Sequence, residues 1–525
     1  MNEVSLGYIA AADKYQRLKP LLKQDWAMML DSGIGDSRLD KKSTKRGTEQ
    51  NSTEQNGSGQ TKQNNQKADS FRRYDICVSQ PSVRLSFNGS KTIISKPNNQ
   101  QKTEISSRPP LQLMRDILAE YAKLSVNEEQ LKGEKYSLPF NGGWLGYIGY
   151  DFAPSQKLMN TKKSNDTHKT GLSDKTGVST IPLIRMGLYQ WALVTDHQKR
   201  TSTLYNFGLC SKQWLDLVKE FEPLLNNKQT TNTSSEEKPF ALTETFKSNL
   251  SYQEYADAFA KIHDYIRAGD CYQVNFAQKF SAKFSGSALD VYSMLSESNN
   301  SPFSAYLNFT DQQILSLSPE RFIESHQGRV TTQPIKGTLP RDVNAVKDKQ
   351  LANQLINSEK DKAENLMIVD LLRNDLSKTA KTASVKVTEL FGLYQFESVH
   401  HLISTIQSKL AEGFDNFDIL ATTLPGGSIT GAPKIRAMQI IDELEKEKRG
   451  IYCGVIGFID FKGNMDTNIC IRTLLATSNQ LTCWAGGGLV ADSNLEAEYQ
   501  ETFDKLGKIL PVLNSTLREN PRVNS

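Results

Sequence analysis

Three stretches of the chain are too polar to join any core, and they decide where a fold can form. Asp36 to Asp69 is built mainly of Lys, Ser, Thr, Asn, Gln and Gly, with Leu39 its only large apolar residue. Such a segment buries too little apolar surface to offset the entropy of ordering it. Gln156 to Ser179 and Asn226 to Glu237 are similar. Apolar segments flank the first stretch on both sides, Trp26 to Leu30 and Tyr74 to Val78. It therefore reads as an insertion inside a domain, and the third stretch as a linker. The expected division is an N-terminal subdomain over 1–225 with disordered insertions near 36–69 and 156–179, a linker over 226–245, and a C-terminal domain over 246–515 in which any chemistry should be sought.

Charge and cysteine usage narrow the function classes. The 525 residues carry 63 Lys plus Arg against 59 Asp plus Glu, a net +4. Asp36 to Asp69 alone holds +2 and Gln156 to Ser179 +3, so the remainder is near neutral. Without a basic face, nucleic acid is not an expected partner. The six cysteines have no CxxC spacing, which fits neither a disulfide framework nor a zinc site and points to a reducing cytoplasm. No run approaches the roughly 18 apolar residues of a spanning helix, so membrane insertion is not expected.

Past Phe246 the pattern becomes continuous. Ser304 to Phe309, Gln313 to Leu317, Val455 to Phe461 and Leu481 to Ala485 are rich in branched and aromatic residues and predict strands. Tyr252 to Ala268, Lys347 to Leu376, Pro433 to Glu447 and Leu495 to Leu510 predict helices. Strands bunched between long helices favour α+β over a doubly wound sheet.

Several residues could carry chemistry. In KDKAENLMIVDLLRNDL, the apolar residues from Leu366 to Leu372 predict a largely buried helix into which Glu364 enters. A buried carboxylate needs either an Arg partner or a metal, and both stay open. In the last helix Tyr499, Phe503, Leu506 and Leu510 form a core face beside a stripe of Glu498, Glu501, Lys505 and Lys508. Taken alone that stripe is a solvated face with a Glu501 to Lys505 pair. Glu364, Glu498 and Glu501 together would suit Mg²⁺, with Lys505 reaching an anion at the same place. LPGGSITGAPK sets glycines before a helix whose first turn would carry Pro433, an arrangement that favours anions without being a Walker A loop. Gly486 to Gly488 follow a strand and could admit a ligand close to backbone. Lys336 lies in a Pro/Gly-punctuated segment and becomes a nucleophile only if its pKa is depressed. Glu320 ends a β-rich run and would be a general acid beside a leaving hydroxyl. His400 and His401 point to opposite faces of a strand, with structural roles as the default.

Together these pieces resemble the chorismate-utilising enzymes, and within them the component I chains of the aminodeoxychorismate synthases, close relatives of component I of anthranilate synthase. The resemblance is strong over about Phe246 to Leu510, through GDCYQVNFAQKF, SPERF, PIKGT, DKAENLMIVDLLRNDL, LPGGSITGAPK, GVIGF, IRT and GGGLVADSNLEAEYQETFDK. It is weaker in the N-terminal half, through WAMMLDSG, RRYDI and GGWLGYIGYD. Lys336 separates the relatives: anthranilate synthases typically have Ala in PI-x-GT, whereas aminodeoxychorismate enzymes using a covalent route have Lys.

The resemblance implies an α+β fold of two interleaved subdomains, with large antiparallel sheets packed as a sandwich and helices outside. It implies amination of chorismate at C4 to 4-amino-4-deoxychorismate, on the route to p-aminobenzoate and folate, with Lys336 as covalent nucleophile, Glu320 as general acid and His401 near the reacting ring. Substrate contacts would fall on Thr430, Gly431, Tyr452, Arg472, Gly488 and Lys505, and Mg²⁺ ligands on Glu364 and Glu501 with Asp361 and Glu498 around them. A tryptophan site is implied at Ser32, Phe71, Arg72, Arg73, Tyr74, Pro302, Phe303 and Ser304, although the insertion between Ser32 and Phe71 departs from the usual short loop. Leu339, where the family commonly has Arg, departs as well. None of the six cysteines has a glycine-flanked elbow, so ammonia is expected from a separate glutamine amidotransferase subunit. The alternatives are anthranilate or isochorismate synthesis on the same scaffold, and an inactive regulatory paralogue; the glycine loops alone would prompt nucleotide binding.

Overall fold

The computed structural model describes residues 2–33, 71–97, 102–125, 138–153, 181–225 and 239–517. The predicted insertions near 36–69 and 156–179, and the 226–237 stretch, lie outside these residues.

Two antiparallel sheets dominate, and each takes strands from both halves of the chain. Among the described residues the first has 13 strands; at its centre Ala27–Asp31 pairs with Phe303–Phe309, followed by Gln312–Ser318, Thr473–Thr477, Gln480–Leu489 and Gln273–Ser285. The second has 12; its centre runs Arg321–His326, Met465–Ile469, Val455–Asp460, Gly143–Ile148 and Ile184–Tyr189. Its far end is formed by Val399–Lys409, flanked by Ile335–Pro340 and Lys386–Gln395.

The layering follows from which strand faces are apolar. Gly143–Ile148 and Val455–Asp460 are buried throughout, as expected of strands covered on both sides. Met28, Ile76, Leu307, Phe309 and Ile314 of one sheet meet Leu145, Tyr147, Ile456 and Phe458 of the other in a shared core. On the outer face of the first sheet lies a second core that includes residues of Lys14–Leu22 and Ala288–Asn299. The helices Pro110–Ser125, Glu359–Ser377 and Asn416–Thr423 cover the second sheet. The result is the α+β sandwich with outer helices and two interleaved subdomains, with no sheet belonging to one half alone.

The predicted elements are present with four corrections. Lys347 to Leu376 is two helices, Ala345–Ile356 and Glu359–Ser377, because the Ser358 hydroxyl accepts the Asp361 N–H at 3.3 Å and starts a new helix. That second helix is not apolar all round: Asn365, Ile368, Val369, Leu372 and Leu376 face inward, whereas Leu366 is 52% exposed. Pro433 caps the helix Lys434–Leu444 rather than lying in its first turn. The last helix stops at Asp504 and resumes as Leu510–Asn514. Within the predicted 226–245 linker, Ala241–Leu242 is a buried strand on Gln273–Ser285, drawn in by Phe240 against Phe284.

Residues 239–517 expressed alone would leave Phe303–Phe309 and Val455–Asp460 without their N-terminal partners. The expected result is no cooperative transition in calorimetry; a sharp transition would show that this half folds independently.

Candidate active site

Lys336 lies half-buried on the strand Ile335–Pro340, where pairing with Val399–Lys409 slips between Ile335 and Thr338. The slip frees Lys336 and Gly337 from the ladder. Gly337 has φ +84°, and a Cβ there would sit 3.0 Å from Asp361 Cγ and 2.9 Å from Leu355 Cδ1. Only glycine lets this strand lie so close to the start of the helix Glu359–Ser377. Thr338 and His401 are cross-strand partners, with Thr338 Oγ1 2.8 Å from His401 Nδ1. Burial, then the charges of Arg472, His400 and Lys508, push the His401 pKa down to about 3, so its imidazole is neutral. His400 faces the other way: its Nε2 is 2.9 Å from Asp348 Oδ1, and Asp348 also accepts both arms of Arg341 at 2.8 Å.

Glu320 is buried where Gln312–Ser318 gives way to Arg321–His326. Burial raises its pKa to about 7, against the lowering effects of the Lys336 charge, a hydrogen bond from the Ile335 N–H and the Lys505 charge. A carboxyl that still holds its proton near neutrality, in reach of two lysines, can act as an acid.

Four more carboxylates gather beside this pair. Glu364 is raised by burial and by the charges of Asp361 and Glu501, and lowered by Lys336 and Lys360. Glu498 is buried, raised by burial and by Glu501, and accepts the Ser493 hydroxyl at 2.7 Å. A Cβ on Gly487 would lie 2.9 Å from Glu498 Oε2 and 3.5 Å from Glu501 Oε1, so the glycine leaves the space into which both carboxylates turn. The predicted Glu501 to Lys505 pair is present at 2.6 Å, and Lys505 also donates to the Gly486 carbonyl at 2.6 Å. Glu498 alone departs from the solvated-stripe reading of this helix: it is buried, whereas Glu501 and Lys505 stay about half exposed. Among the described residues, no three His, Cys, Asp or Glu side chains close a metal site by themselves. A cluster in which neighbouring carboxylate charges raise Glu364 and Glu498 fits Mg²⁺ nonetheless, since that ion takes one or two protein carboxylates and completes its shell with water or substrate oxygens.

The glycine loops border the same place. Gly431–Ala432 pairs with Gln273–Ser285 on one edge and Gln480–Leu489 pairs on the other, so that Val274 stands opposite both Gly431 and Leu489, and Asn275 opposite Gly488. The Asn275 N–H donates to the Thr430 carbonyl at 2.8 Å, and the Thr430 hydroxyl to the Gly426 carbonyl at 2.6 Å. Tyr452 is buried and stacked on Trp484, centroids 5.9 Å apart. Burial lowers the Arg472 pKa, and among the described residues no acidic side chain pairs with this guanidinium.

The tryptophan-site residues lie elsewhere. A cavity of about 390 Å³ between the sheets is lined by Ser32, Phe71, Arg73, Tyr74, Pro302, Phe303 and Ser304. Arg72 is not part of the wall; it points to the Asn300 and Gly33 carbonyls. Arg321, held by Asp466 at 3.0 Å, lines this cavity while its neighbour Glu320 does not. Thus one short segment separates the charged cluster from an aromatic pocket.

Sequence reasoning missed Lys360 and Ser493, which act on the carboxylates, and Asp348, which holds His400 and is itself held by Arg341. The S-x-x-D pattern at Ser358 to Asp361 signals a helix start and would have placed Asp361 and Glu364 in its first two turns. Ionisation of Glu320 opposes folding, because between pH 4.5 and about 7 the folded chain keeps a proton that the unfolded chain releases. The stability of Glu320→Gln relative to the parent is therefore expected to grow by on the order of 3 kcal/mol as pH rises through that window, read from paired unfolding curves. A pH-independent gap would contradict the burial account.

With this geometry established, comparison with known proteins is specific. The profile of the chorismate binding enzyme family matches residues 65–511. Aminodeoxychorismate synthase component 1 of Escherichia coli K12 is 42% identical over 445 residues, 84% of this chain and 90% of that one. The Klebsiella aerogenes protein of the same name is 38% identical over 514 residues, covering 98% and 99%. The crystal structure of anthranilate synthase component I from Streptococcus pneumoniae superposes with a TM-score of 0.65 at 27% identity, covering 91% of this chain and 98% of that one. By the extent of the profile match and of these identities, the chain belongs to the chorismate binding enzyme family.

Proposed function

We propose that this chain aminates chorismate at C4 to give 4-amino-4-deoxychorismate, the activity named in its relatives from Escherichia coli and Klebsiella aerogenes. The observation that carries the reading is Lys336 placed beside the buried, proton-holding carboxyl of Glu320. The Lys336 nitrogen forms a bond to C2 of chorismate and gives up a proton, the two conjugated ring double bonds shift together from C1=C2 and C5=C6 to C1=C6 and C4=C5, and the C4–O bond breaks. Glu320 supplies the proton with which the hydroxyl leaves as water. Ammonia then bonds to C4, both double bonds return, and the C2–N bond breaks as the surplus proton of the new amine passes to the departing Lys336 nitrogen. Two easier steps replace one hard displacement. His401 is neutral and held by Thr338, so it borders the ring without adding charge.

Arg472, lacking an acidic partner among the described residues, suits bidentate binding of a substrate carboxylate. Thr430, Gly431 and Gly488 offer backbone at close range, Tyr452 a wall, and Lys505 a cation. Glu364 and Glu501, with Asp361 and Glu498 beside them, would hold Mg²⁺, which when bound supplies a Lewis acid for the ring carboxylate. Of the six cysteines five are buried and Cys210 is exposed, and none has the sequence of an amidotransferase elbow. Ammonia is accordingly assigned to a separate glutamine amidotransferase subunit, consistent with the component 1 designation of the relatives. The 390 Å³ cavity is assigned to tryptophan, with aromatic walls from Phe71 and Phe303. Among the described residues no helix is long and apolar enough to cross a membrane, and the cytoplasm is the proposed location.

The test is NMR identification of the product formed from chorismate, Mg²⁺ and ammonium. The expected product is the C4 amine, and Lys336→Ala should form it at least about 100-fold more slowly. Anthranilate or isochorismate as product, or an unchanged rate in the variant, would overturn the reading.

A further inference from the structure

Arg449 lies outside every motif read for chemistry, yet its guanidinium holds a carboxylate, two main-chain carbonyls and two aromatic rings together. Its side chain is 1% exposed and that of its partner Glu445 2%. Nε donates to Glu445 Oε2 at 2.9 Å and Nη2 to Glu445 Oε1 at 2.6 Å. The same guanidinium donates to two main-chain carbonyls, from Nη1 to Ile429 at 3.1 Å and from Nη2 to Asn275 at 2.7 Å. It also lies over the rings of Tyr452, 5.5 Å to the centroid, and Tyr150, at 4.7 Å. Glu445 completes the assembly by accepting the Ala277 N–H at 3.0 Å.

Three of these partners, Ile429, Asn275 and Tyr452, adjoin or form a proposed substrate contact. Ile429 precedes Thr430 and Gly431; Asn275 stands opposite Gly488 and donates its own N–H to the Thr430 carbonyl. Tyr452 is itself such a contact. A planar, five-donor cation can hold a carboxylate and two carbonyls at once, whereas an ammonium presents a single point of charge. A buried pair of this kind is weak evidence for stability, and its directed hydrogen bonds suit it to fixing geometry.

We infer that Arg449 is a positioning residue: through the Ile429 and Asn275 carbonyls and the Tyr452 ring, it sets the spacing at which Thr430, Gly431, Gly488 and Tyr452 receive the substrate. The inference rests on the reading of those four residues as substrate contacts.

The test is Arg449→Lys in the full chain, which keeps a cation for Glu445 but cannot keep both carbonyl bonds. Two quantities are measured, the hydrogen exchange of peptides covering 425–433 and the KM and kcat for chorismate with ammonium. The expected result is faster exchange confined to 425–433, with the helix Lys434–Leu444 still protected, and a KM raised at least about 10-fold while kcat falls less than KM rises. Unchanged exchange at the loop would overturn the inference. A uniform loss of protection, with kcat and KM changed together, would reduce Arg449 to a general structural role and also overturn it. A loosened loop with unchanged KM would refute the reading of the loop as a substrate contact while leaving Arg449 as its anchor, so the two failures are distinct. If Arg449→Lys does not fold, Glu445→Gln is measured in the same way, since it weakens the grip on the guanidinium without removing it. A smaller change in the same direction supports the inference, and no change overturns it.

Discussion

The pairing of Ala27–Asp31 with Phe303–Phe309, and of Gly143–Ile148 with Val455–Asp460, holds the two halves of the chain in common sheets. Because side chains of both sheets meet in one shared apolar core, neither sheet can move without repacking the other. That rigidity is what the cleft requires. Its groups come from Glu320 beside one inner strand, Lys336 and His401 on the outer strands of the second sheet, Gly488 in the first, and two helices. None of these segments could place a charged group alone; the two sheets jointly set their separations.

Electrostatics in the cleft follow from burial more than from pairing. Glu320, Glu364 and Glu498 all titrate above their usual range, and for each the first cause is removal from water. Lysines partly offset this, Lys336 and Lys505 for Glu320, Lys336 and Lys360 for Glu364, and Lys360 and Lys505 for Glu498. The arrangement leaves carboxylates that would be steadied by a divalent ion and one carboxyl able to give up a proton. It also leaves Arg472 free of acidic partners among the described residues, as a site for an incoming carboxylate requires. Such concentrations of shifted groups mark functional clefts, and no other part of the described structure combines them with two glycine loops.

Much of this was readable in the chain, by two different routes. Branched and aromatic runs located four strands to within a few residues, and the α+β class followed from their bunching. The candidate site residues, in contrast, were assigned through motifs: a lysine in PIKGT and a glutamate in SPERF are indistinguishable by periodicity from exposed turn residues. What stayed hidden depends on contacts distant in sequence. Glu498 reads as solvated until Gly487, on a strand of the first sheet, is seen to make room for it. Arg449 reads as one more charge in EKEKRG until its two carbonyl acceptors are in view. The break at Ser358 was a local signal that the long apolar run from Leu366 onward obscured, and Leu366 itself is exposed because a helix buries one face.

The central claim is that Lys336 bonds to the ring before ammonia does. The direct measurement is mass spectrometry of the chain incubated with chorismate and Mg²⁺ in the absence of any ammonia source, then quenched and digested. The account requires an adduct of chorismate less one water on the peptide carrying Lys336, absent from Lys336→Ala and discharged when ammonium is added before the quench. A chain that turns over with ammonium yet never carries the adduct would contradict it, and ammonia would then be the first nucleophile.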